Sequence, residues 1–461
     1  MILNDFLFLP ITLILVYFLA FRLRDKFTID LTRGYFIPAL TVKLIGAILL
    51  GLVYQFYYNG GDTFNYYLQS KIIHEAIINK PLAGLSLLFS DGTYTPSTFE
   101  YATKIYWFRS PSEYFIVKTA AVLGLLNGHS YSSIAILFAT FGFSGVWALY
   151  QTFVKMAPQR HMTLALCILF VPSVFFWGSG LMKDTITLGA LGWLFYGAYT
   201  GFIKKNITAL SVLSILIPFY IIFKVKLYIL LSFLPPLIFW VFLENSSYFN
   251  KGFSRFLLKP FIVILGVFLA YQAAINVTEG DIRYDLSKIG ERTKINAEYL
   301  YRISLLQDGS AYYLGDLDGS INSMLRIAPE AVNVTLFRPY LWEIANPLML
   351  LSALESFIFS LLLISLLFVP GPLQSLRIIF GHPVILFCFG FTLILAFAVG
   401  LNSYNFGTLV RYKIQLLPFY LTGIILIKHY HAISFQKLPG VNEQIQPPVN
   451  FRIKSIEKLS G

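Results

Sequence analysis

The sequence predicts an all-α protein, a polytopic bundle of about eleven transmembrane helices, and three observations carry that expectation. With 57% hydrophobic and only 13% charged residues, the chain holds more apolar surface than a water-soluble globule can bury. Its apolar residues form continuous runs long enough to cross a hydrocarbon core, roughly 17 to 25 residues each, without the alternation of a membrane barrel. Basic residues gather in alternate short loops between those runs, as positive-inside orientation requires.

In chain order the expected spans are Phe6 to Phe21, Ile37 to Tyr57, Ser132 to Phe153, Met162 to Gly178, Ile186 to Phe202, Ile207 to Phe223, Leu227 to Leu243, Pro260 to Ile275, Leu348 to Val369, Val384 to Leu401 and Ile414 to Ile427. The first run has no basic leader or small-residue cleavage site and is followed by Arg22, Arg24, Lys26 and Arg33, so it reads as a retained span. Lys155, Arg160, Lys204, Lys205, Lys251, Arg255, Lys259, Arg377 and Lys428 all fall in the cytoplasm if the N-terminus is outside and the C-terminus inside. Tyr114 to Leu126 is apolar but short, and a crossing there would put Lys155, Arg160, Lys204 and Lys205 outside. It is expected as an interfacial or re-entrant segment. Two large extracytoplasmic loops follow, at about residues 58–131 and 276–346, the first with amphipathic material from Asn65 to Ile78 suited to the bilayer surface. The transmembrane domain then covers residues 1–430, and 431–461 is expected as a short, poorly ordered cytoplasmic tail.

Several function classes are excluded on composition. The formal charge of +12 is mostly a topological signal, and no clustered basic face makes nucleic acid an expected partner. The second outer loop is slightly acidic, with Asp281, Asp285, Asp308 and Asp316 among its carboxylates. Cys167 and Cys388 lie inside apolar runs, leaving no disulfide framework and no thiol metal site, and the six histidines lack zinc-ligand spacing. No phosphate-binding glycine loop or dinucleotide fingerprint appears.

Polar residues at the outer ends of spans remain, where a charge is costly unless used or paired. Gly60-Gly61-Asp62-Thr63 offers a carboxylate beside a flexible turn, with Tyr66 one helical turn on; the structural alternative is an N-cap formed by Asp62 or Thr63. Lys183-Asp184 follows a Trp-Gly-Ser-Gly turn, where Lys183 can clamp a phosphate while Asp184 caps the next helix. Lys224 and Lys226 in a tight hairpin run against the positive-inside bias, with snorkelling as the alternative. Arg338 offers a fork for phosphate or a partner for Glu343, and Glu355 falls inside the following span. Arg411 and Lys413 close the last outer loop, ahead of Pro418.

One outer carboxylate facing a set of outer cations describes a site for a lipid-linked phosphate. The Gly61-Asp62-Thr63 turn with Tyr66, and the Arg411-Tyr412-Lys413 segment before Pro418, resemble motifs of the GT-C superfamily of integral-membrane glycosyltransferases and, more loosely, of bacterial surface-polysaccharide polymerases. The resemblance implies a polyprenyl-(di)phosphate sugar donor, a glycan or lipid acceptor, and a multi-pass location in the bacterial cytoplasmic membrane. Asp62 would be the catalytic base; Tyr66, Lys183, Lys224, Arg338, Arg411 and Lys413 would bind substrate, with Glu343, Glu355 and Asp184 in support. No cofactor is required; if a divalent cation assists, Asp62 would be its ligand. The chain departs from that pattern in lacking a second acid beside Asp62: Glu75 is the nearest, with Asp91, Glu100 and Glu113 further on. A polymerase, or a transporter or flippase of an anionic lipid-linked substrate, are the alternatives.

Overall fold

The computed structural model describes residues 3–245, 289–306, 310–315 and 317–436. The expected span Pro260 to Ile275, the basic residues Lys251, Arg255 and Lys259, the loop acids Asp281, Asp285, Asp308 and Asp316, and the tail beyond residue 436 lie outside the described residues. Regular structure among the described residues is helical, with a single isolated bridge between Ala311 and Asn405.

The chain opens with α1 (Leu3–Phe27) and α2 (Asp30–Leu52), which a π-helical turn, Val53–Tyr57, continues. The first large loop is built from α3 (Asp62–Asn79), α4 (Pro81–Phe89), α5 (Phe99–Ala102) and α6 (Pro111–Gly124). Then come α7 (Tyr131–Met156), the short α8 (His161–Leu169) and α9 (Pro172–Trp177), α10 (Lys183–Ala198), α11 (Ala209–Val225) and α12 (Leu227–Asn245). The second half comprises α13 (Ile289–Leu306), α14 (Ile321–Arg326), α15 (Ala328–Phe337), α16 (Pro347–Phe368), α17 (Pro372–Gly381), α18 (Pro383–Ser403), α19 (Phe406–Tyr412) and α20 (Leu417–Gln436).

Seven described helices are long and apolar enough to cross a membrane, or eight if the bent pair Phe406–Gln415 and Leu417–Ser434 counts as one span. Pro260 to Ile275 lies outside the described residues, and the rest of the difference from about eleven has local causes. Met162 to Gly178 is not one helix: Pro172 forces Val171 into an extended conformation, φ −67° and ψ 121°, and splits the run into α8 and α9. Ile207 to Phe223 is the 17-residue α11. Ile414 to Ile427 falls in the bent pair, whose 57° change of direction coincides with Pro418, which lacks an N–H and clashes with the preceding turn. Tyr114 to Leu126 forms most of the 14-residue α6, too short to cross.

The bundle is drawn together by close approach of α7 and α10. A Cβ on Gly145 would sit 1.8 Å from the carbonyl oxygen of Gly189, and one on Gly192 2.1 Å from that of Gly145, so only small residues allow this crossing. Aromatic rings then join α7, α10, α12, α18 and α20: Phe153 stacks on Phe195 at 4.8 Å, Phe195 on Trp240 at 5.6 Å, and Phe391 meets Phe419 at 5.0 Å. Each such pair adds about 0.5–1.5 kcal/mol beyond area burial.

Side-chain bonds identify the two ends of the bundle. At one, Asp5 of α1 accepts from Ser130 Oγ (2.7 Å) and Ser132 N (3.0 Å) at the start of α7, near where α2 passes into α3. At the other, Trp147 Nε1 donates to the Phe27 carbonyl (2.8 Å) and Tyr35 OH meets His161 Nδ1 (3.1 Å).

Candidate active site

The turn from α2 to α3 is the first component. Asn59, Gly60 and Gly61 all have positive φ, at 54°, 129° and 117°. Glycine is required at position 61 twice over, because a Cβ there would also lie 2.9 Å from the Tyr54 ring. Its absence lets Tyr54 pack beneath the turn, where the phenol oxygen accepts from Arg411 Nη1 at 3.1 Å. The N-cap of α3 is Gly61, without a side-chain bond, so neither Asp62 nor Thr63 caps the helix. Thr63 Oγ1 instead bonds Tyr131 OH at 2.8 Å, and the Asp62 carboxylate reaches across to Arg411, Oδ2 accepting from Nη2 at 2.9 Å.

Asp184 supplies a second carboxylate at the same guanidinium. It lies in the first turn of α10, whose N-cap is Met182, and makes no cap of its own. Its buried carboxylate meets Lys226 Nζ at 2.5 Å, Gln415 Nε2 at 3.3 Å and Arg411 Nη2 at 3.5 Å. The placement follows from helix electrostatics: the positive first turns of α3 and α10 present Asp62 and Asp184 to Arg411 in the last turn of α19, where a cation is favoured. Lys226 lies 4.1 Å from the centroid of the Tyr412 ring, which helps hold a buried ammonium. Two carboxylates thus balance two cations, but bonding capacity is left over. Arg411 Nε, Asp184 Oδ2 and Gln415 Oε1 have no hydrogen-bond partner among the described residues.

Lys183 and Tyr66 flank this centre. Lys183 Nζ pairs with Glu113 Oε1 at 2.6 Å and donates to Ser112 Oγ at 3.2 Å, tying α10 to α6. Tyr66 packs against Trp107 at 4.8 Å, and burial, reinforced by the negative charges of Asp62 and Glu113, pushes its phenol up so that it stays protonated.

A second ionic cluster lies on the other side of α19. Arg338 gives Nε and Nη2 to the Glu343 carboxylate, which also accepts from Tyr340 N at 2.8 Å. Burial works against both charges. The mutual bond more than offsets it, leaving Glu343 below the usual carboxylate value and Arg338 above the usual guanidinium value. Lys413 is fully buried and donates to Ser356 Oγ (3.1 Å) and the Arg338 carbonyl (3.3 Å). Glu355 Oε1 accepts from Ser173 N at 2.7 Å, at the start of α9. Arg411 and Gln415, four apart, share one face toward Asp184, whereas Lys413 between them turns the other way.

The structure therefore brings Asp62, Asp184 and Arg411 together, with Lys183 and Tyr66 beside them. It places Arg338, Glu343, Glu355 and Lys413 in the second cluster, and leaves Lys224 exposed against the rings of Tyr220 and Phe223. Glu75 and Glu100, weighed as companions of Asp62, pair instead with Lys71 (3.9 Å) and Lys80 (2.6 Å). Sequence reasoning passed over Tyr54 and Gln415, and chose Lys224 where Lys226 is the inward lysine. The available signal was position, since Lys226 immediately precedes α12 whereas Lys224 sits in the last turn of α11. Among the described residues no group of three or more His, Cys, Asp or Glu side chains is placed to hold a metal. Asp62 and Asp184 share a guanidinium, a donor set that does not fit the several oxygen ligands a divalent cation takes. Compared with family models, curated proteins and solved structures, the chain gives no match.

Proposed function

We propose that the protein is a GT-C-like membrane glycosyltransferase that moves a sugar from a polyprenyl-(di)phosphate donor to a hydroxyl acceptor, with inversion. The observation that carries this is the half-exposed Asp62, whose side chain is 44% accessible, bonded to an Arg411 that also faces the buried Asp184. Arg411 and Lys183 are the cations a donor phosphate can reach; both are held by carboxylates that can be exchanged for phosphate oxygens. When phosphate takes the guanidinium, the Asp62 oxygen that Arg411 held is freed to accept from the acceptor hydroxyl. The acceptor oxygen then attacks the anomeric carbon, its proton passes to Asp62, and the bond to phosphate breaks with the electron pair leaving on the phosphate oxygen. Arg411 and Lys183 stabilise that charge. Lys226 and Asp184 hold Arg411 in place from beneath. The site end of the bundle is the outer face of the cytoplasmic membrane, and the end carrying Lys155, Arg160 and Lys204 is cytoplasmic.

The test is transfer from a fluorescent polyprenyl-phosphate sugar in vesicles by Asp62→Asn and Asp62→Ala variants with verified insertion. Full activity in both rules out the base.

A second reading is favoured by one observation. Broken spans are typical of transporters, and the α8/α9 break and the α19/α20 bend both lie against the centre. A flippase for an anionic lipid would move labelled lipid-linked phosphate across vesicles without any acceptor, whereas a transferase would consume it only when acceptor is present.

A further inference from the structure

A cavity of about 490 Å³ lies between α6, α7, α10 and α11, within the range of ligand sites, about 300–1,000 Å³. Phe115, Phe138 and Ile221 line it, and the lining hydroxyls turn back on their own helices: Thr119, Thr140 and Ser144 donate to the carbonyls of Phe115, Ile136 and Phe141. The groove therefore suits hydrocarbon better than water. Along α7 it runs from Leu137 to Ser144, roughly 10 Å at helical rise and so less than one leaflet of about 15 Å. It begins near the end of the bundle that carries Asp62. There Phe115 of the lining also packs on Tyr220 of α11 at 6.5 Å, and a lysine follows each ring within about one helical turn. Lys224 Nζ lies 6.0 Å from the centroid of the Tyr220 ring; Lys118 Nζ lies 4.9 Å from that of Tyr114 and donates to the Ser90 carbonyl at 3.1 Å. Neither forms an ion pair among the described residues, whereas Lys183 and Lys226 each meet a carboxylate. Burial lowers the Lys118 ammonium from its usual value, and the neighbouring charge of Lys224 lowers it further, against the opposing pull of Asp91. Two like charges are thus held together at the head of an apolar groove, with no carboxylate bonded to either.

We propose that the groove and the lysine pair form one site for an anionic phospholipid, its acyl chain lying along α7 between α6 and α11 and its phosphate held by Lys118 and Lys224. Charge complementarity selects the headgroup: a phosphate supplies the negative charge that both ammoniums lack, and it sits where hydrocarbon gives way to the polar surface. The length of the groove selects the chain. A lipid tail confined to one leaflet matches it, which points to a phospholipid of the bilayer and away from a longer polyprenyl carrier. The site lies against the helix whose Glu113 holds Lys183, yet it uses none of the residues of the ionic centre.

The test takes the full chain out of vesicles of equal phosphatidylglycerol and phosphatidylcholine into mild detergent and counts the retained lipids by native mass spectrometry. One phosphatidylglycerol should be retained about 30-fold in preference to phosphatidylcholine, the worth of two lysines at a membrane surface. Lys118→Ala and Lys224→Ala should each cut that preference about fivefold, and the double variant should abolish it. Lys224→Glu, at an exposed position, should do the same if Lys118→Ala unfolds the chain. Thr140→Trp, which fills the groove and leaves both lysines in place, should lower retention of either lipid. Equal retention of the two lipids would overturn the proposal, as would a preference that survives the double variant or retention unchanged by Thr140→Trp. Two further results would also overturn it: displacement of phosphatidylglycerol by an equal amount of polyprenyl phosphate, which would make the groove a donor seat, and binding of inorganic phosphate that Thr140→Trp leaves intact, which would make the lysines a free-anion site. Retention needs no turnover, so the lipid site stands or falls separately from the transfer reading.

Discussion

Arg338 and Arg411 are equally secluded, with 16% and 18% of their side chains accessible, yet their guanidiniums are satisfied in different ways. Arg338 commits Nε and Nη2 to one carboxylate five residues along the chain, inside its own turn. Arg411 divides a single nitrogen between Asp62, 349 residues away, and Asp184 on a third element, and leaves Nε without a partner. A local fork with both of these nitrogens on one neighbouring carboxylate braces a turn. An arginine shared between distant elements and not fully bonded keeps capacity for a ligand and links helices that a ligand can move. On the proposed reading, the difference favours the Arg411 centre as the site and the Arg338 cluster as its support.

The largest expected effect separates chemistry from stability at Asp62. Asp62→Asn should lower transfer by about 10²- to 10⁴-fold, the usual worth of a general base, while the melting temperature in detergent changes little, because its partner keeps Asp184. Equal losses of activity and stability would merge Asp62 with the bracing residues. Asp184→Asn tests the buried half of the same centre. Removing that carboxylate leaves Lys226 and Arg411 facing each other, and thermal unfolding should register a loss of about 3–5 kcal/mol. Adding Lys226→Met should recover part of it; no recovery would show that the two residues do not act as a pair.

Glu343→Gln addresses the brace, with an expected cost of about 1–3 kcal/mol in unfolding and transfer kept within a few-fold. The pH dependence has a definite sign. The folded-state value of Glu343 lies below its ordinary 4.5, so its stabilisation is complete above about that pH and is lost as pH falls through the lowered value. Glu343→Gln should flatten that acid limb of the melting curve, and an unchanged limb would remove the ion pair from the account. The smallest effect belongs to Lys224→Ala. At an exposed position against two rings, it should change stability by less than about 0.5 kcal/mol and leave transfer intact. A marked loss of transfer would return Lys224 to the donor site.

Much of the fold was legible because membrane crossing is a local demand. A run of apolar residues must satisfy its own backbone inside hydrocarbon, so helices such as α1, α7 and α18 follow from the sequence around them. Two of the run-level differences are also local, since Pro172 and Pro418 break or bend helices whose hydropathy continues through them. Asp62 was legible for a related reason: its Gly-Gly turn can be read without knowing what lies above it. The Arg338 and Glu343 pairing was equally visible as the alternative to ligand binding, five residues apart.

What the sequence by itself determined is the helical class, the apolar composition that suits a membrane, and the candidates at helix ends. Which candidates meet was decided only by the tertiary structure. Nothing in the spacing of Asp62, Asp184, Lys226, Arg411 and Gln415 relates them, and Lys224 and Lys226 differ by a single valine. Their grouping depends on α7 and α10 closing through Gly142, Gly145, Gly189 and Gly192 and on Arg411 and Lys413 leaving α19 on opposite faces. The physical reason is range. Hydropathy and turn chemistry act over a few residues, whereas an ion pair between helix ends is set by the packing of whole helices.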